Sequence, residues 1–199
     1  MKYDDLITTI QAPYFSLDNH LLNGQKLFHY QISLWLKKGK LLRLRNGMYA
    51  FAKEKTNIKN EEIAAFIYEP SYLSLETALA WYGFIPEMVY AYVSVTARIN
   101  RQFTNDFGTF LYRHLKPELF WGYTEIKTQH GHFLIAEPEK AILDYLYLNL
   151  AKINNDTDFE NIRFNLDAIK EKYDAAKFSK YLSAFNVKKM NVWALRCLQ

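Results

Sequence analysis

The sequence predicts an α+β protein, in which a basic N-terminal region of helices and one hairpin precedes a mixed region of strands and helices. Three observations lead to this prediction. The basic residues concentrate near the N-terminus, an Asn-Gly pair joins two short apolar segments there, and strand-like and helix-like segments share the rest of the chain. A chain of 199 residues with 50% hydrophobic residues can bury a core, so we expect a folded protein.

The formal net charge of +4 lies at one end of the chain. Residues 1–52 contain seven Lys and Arg against three Asp, and the remaining 147 residues are neutral. Residues 25–49 contain six basic residues and no acid, which is typical of a surface that meets phosphates. A solvated basic face without a partner would give the same charge pattern, so the local structure has to support the interpretation.

Local patterns predict three helices before the hairpin. The first covers residues 2–10 and is ended by Pro13. The second has Ser16 as its N-cap and stops at the turn signal of residues 23–24. The third runs from Gln25 to Lys38 and ends on Gly39, which permits a left-handed cap. Its apolar residues recur at three- and four-residue steps and form one inward stripe: Phe28, Ile32, Trp35 and Leu36.

Residues 41–51 predict a hairpin, because apolar residues on both sides of Asn46-Gly47 flank the strongest short hairpin signal. A two-residue type I′ turn would place Leu44 opposite Tyr49 and Leu42 opposite Phe51, all on one face. Arg43 and Arg45 would then point away from that face. Helix, helix, basic helix and hairpin is the order of parts in a winged helix-turn-helix, which we assign to residues 1–53.

This unit predicts binding to double-stranded DNA, with the third helix in the major groove and the hairpin on the flanking backbone. A winged helix used for protein contacts is the alternative. The candidate DNA-binding residues are the exposed polar face of the third helix and the cations that follow it: Lys26, His29, Tyr30, Ser33, Lys37, Lys38, Lys40, Arg43 and Arg45.

A second domain is predicted over residues 60–199, after a polar linker at 53–60. Helical segments at 61–68 and 74–83 precede strand-like segments at 89–96, 103–114 (broken near 105–108), 120–126 and 132–135. These predict a small antiparallel sheet. Pro138 opens a central apolar helix, and helices at 159–173, 175–185 and 187–198 complete the domain.

No catalytic constellation, metal site or cofactor site is recognisable, so we expect a protein that is not an enzyme. The glycines are too scattered for a phosphate loop, and His130 and His132 resemble turn residues. The 33 aromatic residues could stack on bases, although core packing explains them more simply. A lone cysteine, the lack of an apolar leader and the lack of 18 consecutive apolar residues predict a cytoplasmic protein without a membrane partner.

Two segments of the second domain resemble the signature stretches of AbiEi-type antitoxins, namely 72–86 (YLSLETALAWYGFIP) and 135–144 (IAEPEKAILD). Residues 93–98 (VSVTAR) are similar to that family's strand and basic residue. Residues 35–41 (WLKKGKL) and 45–49 (RNGMY) are similar to its winged-helix end. The resemblance covers about residues 1–150.

The resemblance implies a type IV toxin–antitoxin component, often used in phage defence by abortive infection. Such an antitoxin represses its own promoter through inverted repeats and opposes a nucleotidyltransferase-like toxin without a stable complex. The resemblance and the charged residues of the second domain give these antitoxin-domain candidates: Glu76, Arg98, Arg113, Glu139, Lys140 and Asp144.

Two alternatives remain open. An interaction protein would hold its toxin directly. A metal-dependent nuclease would use the cluster of Glu137, Glu139, Lys140 and Asp144, although an acidic helix N-terminus with an i, i+4 pair explains that cluster without chemistry.

Overall fold

The computed structural model describes residues 2–17, 27–86 and 90–198. Helix α1 confirms the first predicted helix, and α2 confirms the third over most of its length. The predicted second helix lies mostly outside the described residues, and Ser16, its predicted N-cap, ends a short strand instead. The N-terminal elements are α1 (Tyr3–Thr9), β1 (Tyr14–Ser16), α2 (His29–Lys37), β2 (Leu41–Arg45) and β3 (Met48–Phe51).

The N-terminal strands form an antiparallel sheet in the order β1-β3-β2. Strand β1 was not predicted, because three residues are too few for a period-two pattern. Its Phe15 packs against the rings of Tyr49 and Phe51, with centroids 5.8 and 5.4 Å apart. Helix α2 adds Ile32 and Trp35 to this small core. Phe28 was predicted to join this core but is 50% exposed. It is the N-cap of α2 and its backbone is extended, so the helical period does not determine where its side chain points.

The hairpin forms where predicted, but its register differs. Arg45 pairs with Met48, and a bulge then places Arg43, not Leu44, opposite Tyr49. Of the two turn residues, Gly47 alone has a positive φ, +80°, so the predicted type I′ turn is wrong. The bulge explains the shift, since one extra residue on β2 moves the pairing of residues 41–43 by one position and so exchanges the face of each of these side chains.

Both faces of the hairpin are therefore buried, against different cores. Leu41 and Phe51 pack on the N-terminal core, whereas Leu44 and Ala50 pack on the core of the following region. The prediction that the four apolar hairpin residues share one face is wrong. The 3-10 helix at Ala52–Asn57 and the buried Ile58 occupy the predicted linker.

Most of the remaining helices and strands lie close to their predicted places, but the short strand at Ser71–Leu73 was not predicted. The main differences are in the C-terminal part, where a turn at 161–165 divides the helix predicted at 159–173 into two short helices. The elements are α3 (Asn60–Ile67), β4 (Ser71–Leu73), α4 (Leu75–Tyr82), β5 (Tyr92–Thr96), β6 (Arg101–Asn105), β7 (Gly108–His114), β8 (Tyr123–Lys127), β9 (His132–Ala136), α5 (Pro138–Asn149), α6 (Asp156–Glu160), α7 (Leu166–Lys172), α8 (Ala175–Phe185) and α9 (Lys188–Arg196).

The second sheet has six strands in the order β6-β7-β5-β4-β9-β8. Its pairs β4–β9 and β5–β7 are parallel, and the others are antiparallel. The predicted small antiparallel sheet is thus corrected to a larger mixed one. Periodicity identifies a strand but not its neighbour, and the β4–β9 pair joins segments far apart in the sequence.

Helix α5 lies at the centre of this region, as predicted. Its apolar residues from Ala141 to Leu146 are buried except the half-buried Tyr145, and α4, α8 and α9 pack around it. No helix in the described ranges is both long and apolar enough to span a membrane.

Candidate functional site

The outward side of α2 carries the polar residues that the helical period predicts. His29, Ser33 and Lys37 are exposed, and Tyr30 is 68% exposed. They are held outward because Ile32 and Trp35 fix the opposite side of the helix in the N-terminal core. Lys26, also predicted for this face, lies outside the described residues.

A glycine cap and an aromatic contact position the cations after α2. Gly39 takes φ +63°, and the backbone N–H of Lys40 then donates to the Trp35 carbonyl at 2.9 Å. The ammonium of Lys40 lies 4.4 Å from the Tyr3 ring centroid, and the Tyr3 hydroxyl donates to the Lys40 carbonyl at 3.0 Å. Lys38 precedes this cap and is exposed.

Arg43 and Arg45 line one surface groove of about 450 Å³ between the hairpin and β6. Arg43 is exposed. Arg45 is half-buried, since its Nε donates to the Met48 sulfur at 3.0 Å and its guanidinium lies 5.9 Å from the Phe103 ring centroid. The expectation that both arginines simply point to solvent is wrong for Arg45. We define the basic surface as the exposed cations Lys37, Lys38, Lys40 and Arg43 together with this groove.

The cations of the basic surface have no acidic partner in the part of the chain that the structure describes. No carboxylate oxygen there lies within 4.0 Å of the side-chain nitrogens of Lys37, Lys38, Lys40, Arg43 or Arg45. The chain between Lys37 and Arg43 spans at most about 22 Å, which is less than one turn of a DNA duplex. These cations are available to neutralise several phosphates of one duplex turn.

A second feature is a buried polar network that joins β4 to α5. Lys140 and Asp144 form an ion pair one helical turn apart, and both side chains are fully buried. The Lys140 ammonium also donates to the Tyr72 hydroxyl at 2.8 Å. The Tyr72 hydroxyl and the Ser74 hydroxyl donate to Asp144 Oδ2 at 2.8 and 2.9 Å. The predicted i, i+4 pair is confirmed, but it lies in the core.

The core environment disfavours both charges of this pair. Burial lowers the pKa of Lys140 and raises the pKa of Asp144, and the attraction between the two groups opposes each shift. Aromatic faces add to the stabilisation of the ammonium, since the rings of Tyr72, Trp121 and Phe185 lie 5.0–5.4 Å from Lys140 Nζ.

Two local features make room for the network. Gly122 has φ +74°, and a Cβ there would lie 3.1 Å from Cγ of Lys140. Ser74 takes the extended N-cap backbone of α4, but its hydroxyl donates to Asp144 and not to the helix. The sequence prediction missed Tyr72 and Ser74 as partners of Lys140. Tyr72 lies on β4, and Ser74 follows that strand in extended backbone. Their i, i+2 spacing was the available signal, because it places both side chains on one face.

The other antitoxin-domain candidates are dispersed. Glu139 is buried, and its Oε1 accepts from the Asp174 backbone N–H at 2.6 Å. Arg98 is exposed and donates to the Glu69 carbonyl at 2.9 Å. Arg113 and Glu76 are half-buried on β7 and α4. The structure therefore brings Lys140 and Asp144 together but leaves Glu76, Arg98 and Arg113 apart from them.

Among the described residues, no group of three or more His, Cys, Asp or Glu side chains is arranged to hold a metal ion. Comparison with known proteins finds neither a matching family model nor a matching curated protein.

Proposed function

We propose that this protein binds double-stranded DNA through α2 and the hairpin, and that it acts as the transcriptional autorepressor and antitoxin of a type IV toxin–antitoxin system. The observation that carries the DNA-binding part is the basic surface. Its exposed cations have no carboxylate partner among the described residues, and no acid lies between residues 25 and 49. Neutralising phosphates with such cations releases counterions and favours binding.

The order of elements supports a winged helix as the DNA-binding unit. Helix α1, strand β1, helix α2 and the β2–β3 hairpin follow one another, and the strands form one small sheet. Helix α2 has nine residues and a length of about 14 Å, and its exposed side offers His29, Tyr30 and Ser33 to base edges. The middle helix of this proposal falls on residues outside the described ranges.

The antitoxin part of the proposal depends on the resemblance to AbiEi-type antitoxins. The two segments that carry most of that resemblance meet at the buried network, where Tyr72 and Ser74 contact Lys140 and Asp144. The residue pattern of these two segments is therefore explained by the hydrogen bonds that they form with each other in the core. Because the network is buried, a contact with another macromolecule would have to use exposed candidates such as Arg98. The alternative is that such a surface binds the toxin directly.

The nuclease alternative receives no support from the cluster that suggested it. Lys140 and Asp144 are fully buried, and Glu139 is 2% exposed. Glu137 is engaged by the Tyr181 hydroxyl and by Lys177, at 3.3 Å. A nucleic-acid phosphate could reach Glu139, Lys140 and Asp144 only if the surrounding core opened.

The decisive experiment measures binding to the DNA upstream of the protein's own gene by fluorescence anisotropy at several salt concentrations. The variant Lys37→Gln/Lys38→Gln/Arg43→Gln should bind at least 10-fold more weakly. Its dependence of log K on log salt should be shallower by about 0.9 for each phosphate that is no longer neutralised. The matched control is Lys116→Gln/Lys127→Gln/Lys180→Gln, which removes three exposed charges elsewhere. Equal weakening in both triple variants would refute the proposed surface.

The antitoxin part is tested by co-expression with the product of the adjacent open reading frame, which this proposal expects to be a nucleotidyltransferase-like toxin. We expect this protein to restore growth, and we expect a purified mixture of the two proteins to elute as separate species in size-exclusion chromatography. Co-elution as one species would favour the direct-interaction alternative, and failure to restore growth would refute the antitoxin role.

A further inference from the structure

The outward side of α2 carries apolar side chains among its polar ones. Tyr30 is 68% exposed and Leu34 is 44% exposed, and they lie one helical turn apart, opposite the buried Ile32 and Trp35. The ring of Phe28 stacks on that of Tyr30, with centroids 5.9 Å apart and an angle of 25° between the planes. We call Phe28, Tyr30 and Leu34 the apolar ridge. Tyr30 and Leu34 occupy the middle of the surface that α2 presents to solvent.

The surroundings of the apolar ridge favour a polyanion as its occupant. Lys37 is exposed one turn beyond Leu34, and no carboxylate oxygen of the described residues lies within 4.0 Å of its ammonium nitrogen. Residues 25–49 contain no acid. The ridge exposes on the order of 300 Å². This area is well below the roughly 800 Å² that each partner buries in a stable protein interface, so a nucleic acid fits better than a second copy of the chain.

The side chains of α2 restrict which base edges it can read. Arg and Lys read guanine with two hydrogen bonds, and Asn and Gln read adenine in the same way. The first two turns of α2 contain no Arg, Lys or Asn. Gln31 is half-buried, and its Oε1 accepts the backbone N–H of Phe28 at 3.1 Å. Apolar surface flanked by His29 and Ser33 remains, and the apolar group that a base presents in the major groove is the C5 methyl of thymine.

The spacing of the ridge side chains matches the spacing of stacked bases. Residues one turn apart are displaced by about 6 Å along a helix axis. Successive nucleotides of one DNA strand are displaced by about 3.4 Å. Tyr30 and Leu34 can therefore contact bases about two steps apart. Because the stacked Phe28 already restricts the Tyr30 ring, such a contact costs less conformational entropy than a free side chain would lose.

We infer that the apolar ridge recognises thymine, with Tyr30 and Leu34 packing against the C5 methyl groups of thymines in the major groove. This inference rests on the proposed DNA binding through α2 and adds the base that α2 reads. The preference for thymine does not involve the phosphates, because a methyl group carries no charge. The cations of the basic surface therefore set the salt dependence of binding, and the ridge sets the base preference.

Uracil tests this inference, because it pairs as thymine does but lacks the methyl group. Fluorescence anisotropy of the full chain compares the DNA upstream of its own gene with the same DNA carrying uracil at every thymine. We expect at least 10-fold weaker binding of the uracil form, since two methyl contacts worth about fourfold each multiply to about 16-fold. Equal affinity for both forms would overturn the inference alone. Failure to bind either form would refute the proposed DNA binding as well.

A pair of double variants locates the contact. Tyr30→Ala/Leu34→Ala should bind the thymine form at least 10-fold more weakly and should bind the two forms within twofold of each other. Its salt dependence should equal that of the unmodified protein, since the basic surface is retained. Val192→Ala/Leu195→Ala is the matched control, because it removes two exposed apolar side chains from α9, and it should keep the full preference for thymine. A preference that persists in the ridge variant would overturn the assignment.

Two further measurements keep the test decisive. Circular dichroism checks the fold of the ridge variant, and both changes are to alanine, which favours a helix. If the double variant is unfolded, Leu34→Ala alone serves, with an expected threefold decrease in the preference for thymine. Size-exclusion chromatography without DNA tests whether a second copy covers the ridge. A dimer that Leu34→Ala converts to a monomer would overturn the inference.

Discussion

Replacing Lys140 by methionine should destabilise the protein strongly, because it leaves the Asp144 carboxylate without a counter-charge in the core. Methionine retains most of the apolar stem, so the change is mainly electrostatic. Asp144 keeps the hydroxyls of Tyr72 and Ser74 as donors at 2.8 and 2.9 Å. Removing one partner of a buried ion pair costs about 3–5 kcal/mol. For a chain of this size the melting temperature should fall by about 6–20 °C.

The loss should also depend on pH, with a defined sign. Burial already raises the pKa of Asp144, and removing the ammonium raises it further. The folded variant then binds this proton more tightly than the unfolded chain does. The stability that this Asp144 proton contributes to the variant is fully present below the pKa of Asp in the unfolded chain, about 4. It is lost as the pH rises through the pKa of Asp144 in the folded variant. The loss in free energy of unfolding relative to the unmodified protein should therefore be larger at pH 8 than at pH 5.

Urea denaturation at both pH values, followed by circular dichroism, measures these effects. Lys180→Met on α8 is the control, since this exposed lysine should change stability by less than about 0.5 kcal/mol. The double variant Lys140→Met/Asp144→Asn removes both charges and keeps an oxygen acceptor for Tyr72 and Ser74. It should recover at least half of the loss. A single-variant loss below about 1 kcal/mol, or a double variant no more stable than the single one, would refute the reasoning.

Three further predictions concern other parts of the chain. Gly122→Ala should lower the free energy of unfolding by about 1–3 kcal/mol in urea, because φ is +74° and the new methyl group would meet Lys140; unchanged stability would contradict this. Burial raises the pKa of the Cys197 thiol to about 12, so at pH 8 Ellman's reagent should label the native protein at least 100-fold more slowly than the urea-unfolded chain, and comparable rates would contradict its burial. Arg45→Gln should lower stability by about 0.5–1 kcal/mol through its contact with Phe103, whereas exposed Arg43→Gln should not, and equal thermal melts would argue against the difference in burial.

The spacing of apolar residues and the residue preferences of turns and caps were sufficient to predict most of the local elements. Ile32 and Trp35 recur at helical spacing and are buried, and Gly39 adopts the left-handed cap that its position predicted. Pro138 opens α5 as predicted. The exposed side of α2 followed from the same period, because a helix with one buried stripe leaves its opposite side to solvent. These features depend on neighbours along the chain, which a sequence displays directly.

Tertiary structure decided which elements and side chains meet. The parallel pairing of β4 with β9 and the burial of the Lys140–Asp144 pair depend on segments far apart in the sequence. The hairpin bulge accompanies the packing of Leu44 and Tyr49 on two different cores, one of which the following region forms. Lysine and aspartate are seldom fully buried, so an i, i+4 pair in the sequence favours a solvated helix face, and only the helices and strands packed around α5 place this pair in the core. The amino-acid order thus determined most of the helices, the position of the hairpin turn and the location of the positive charge. Long-range packing determined the sheet, the hairpin register and the environment of each buried charge, because those free energies come from contacts that no local pattern records.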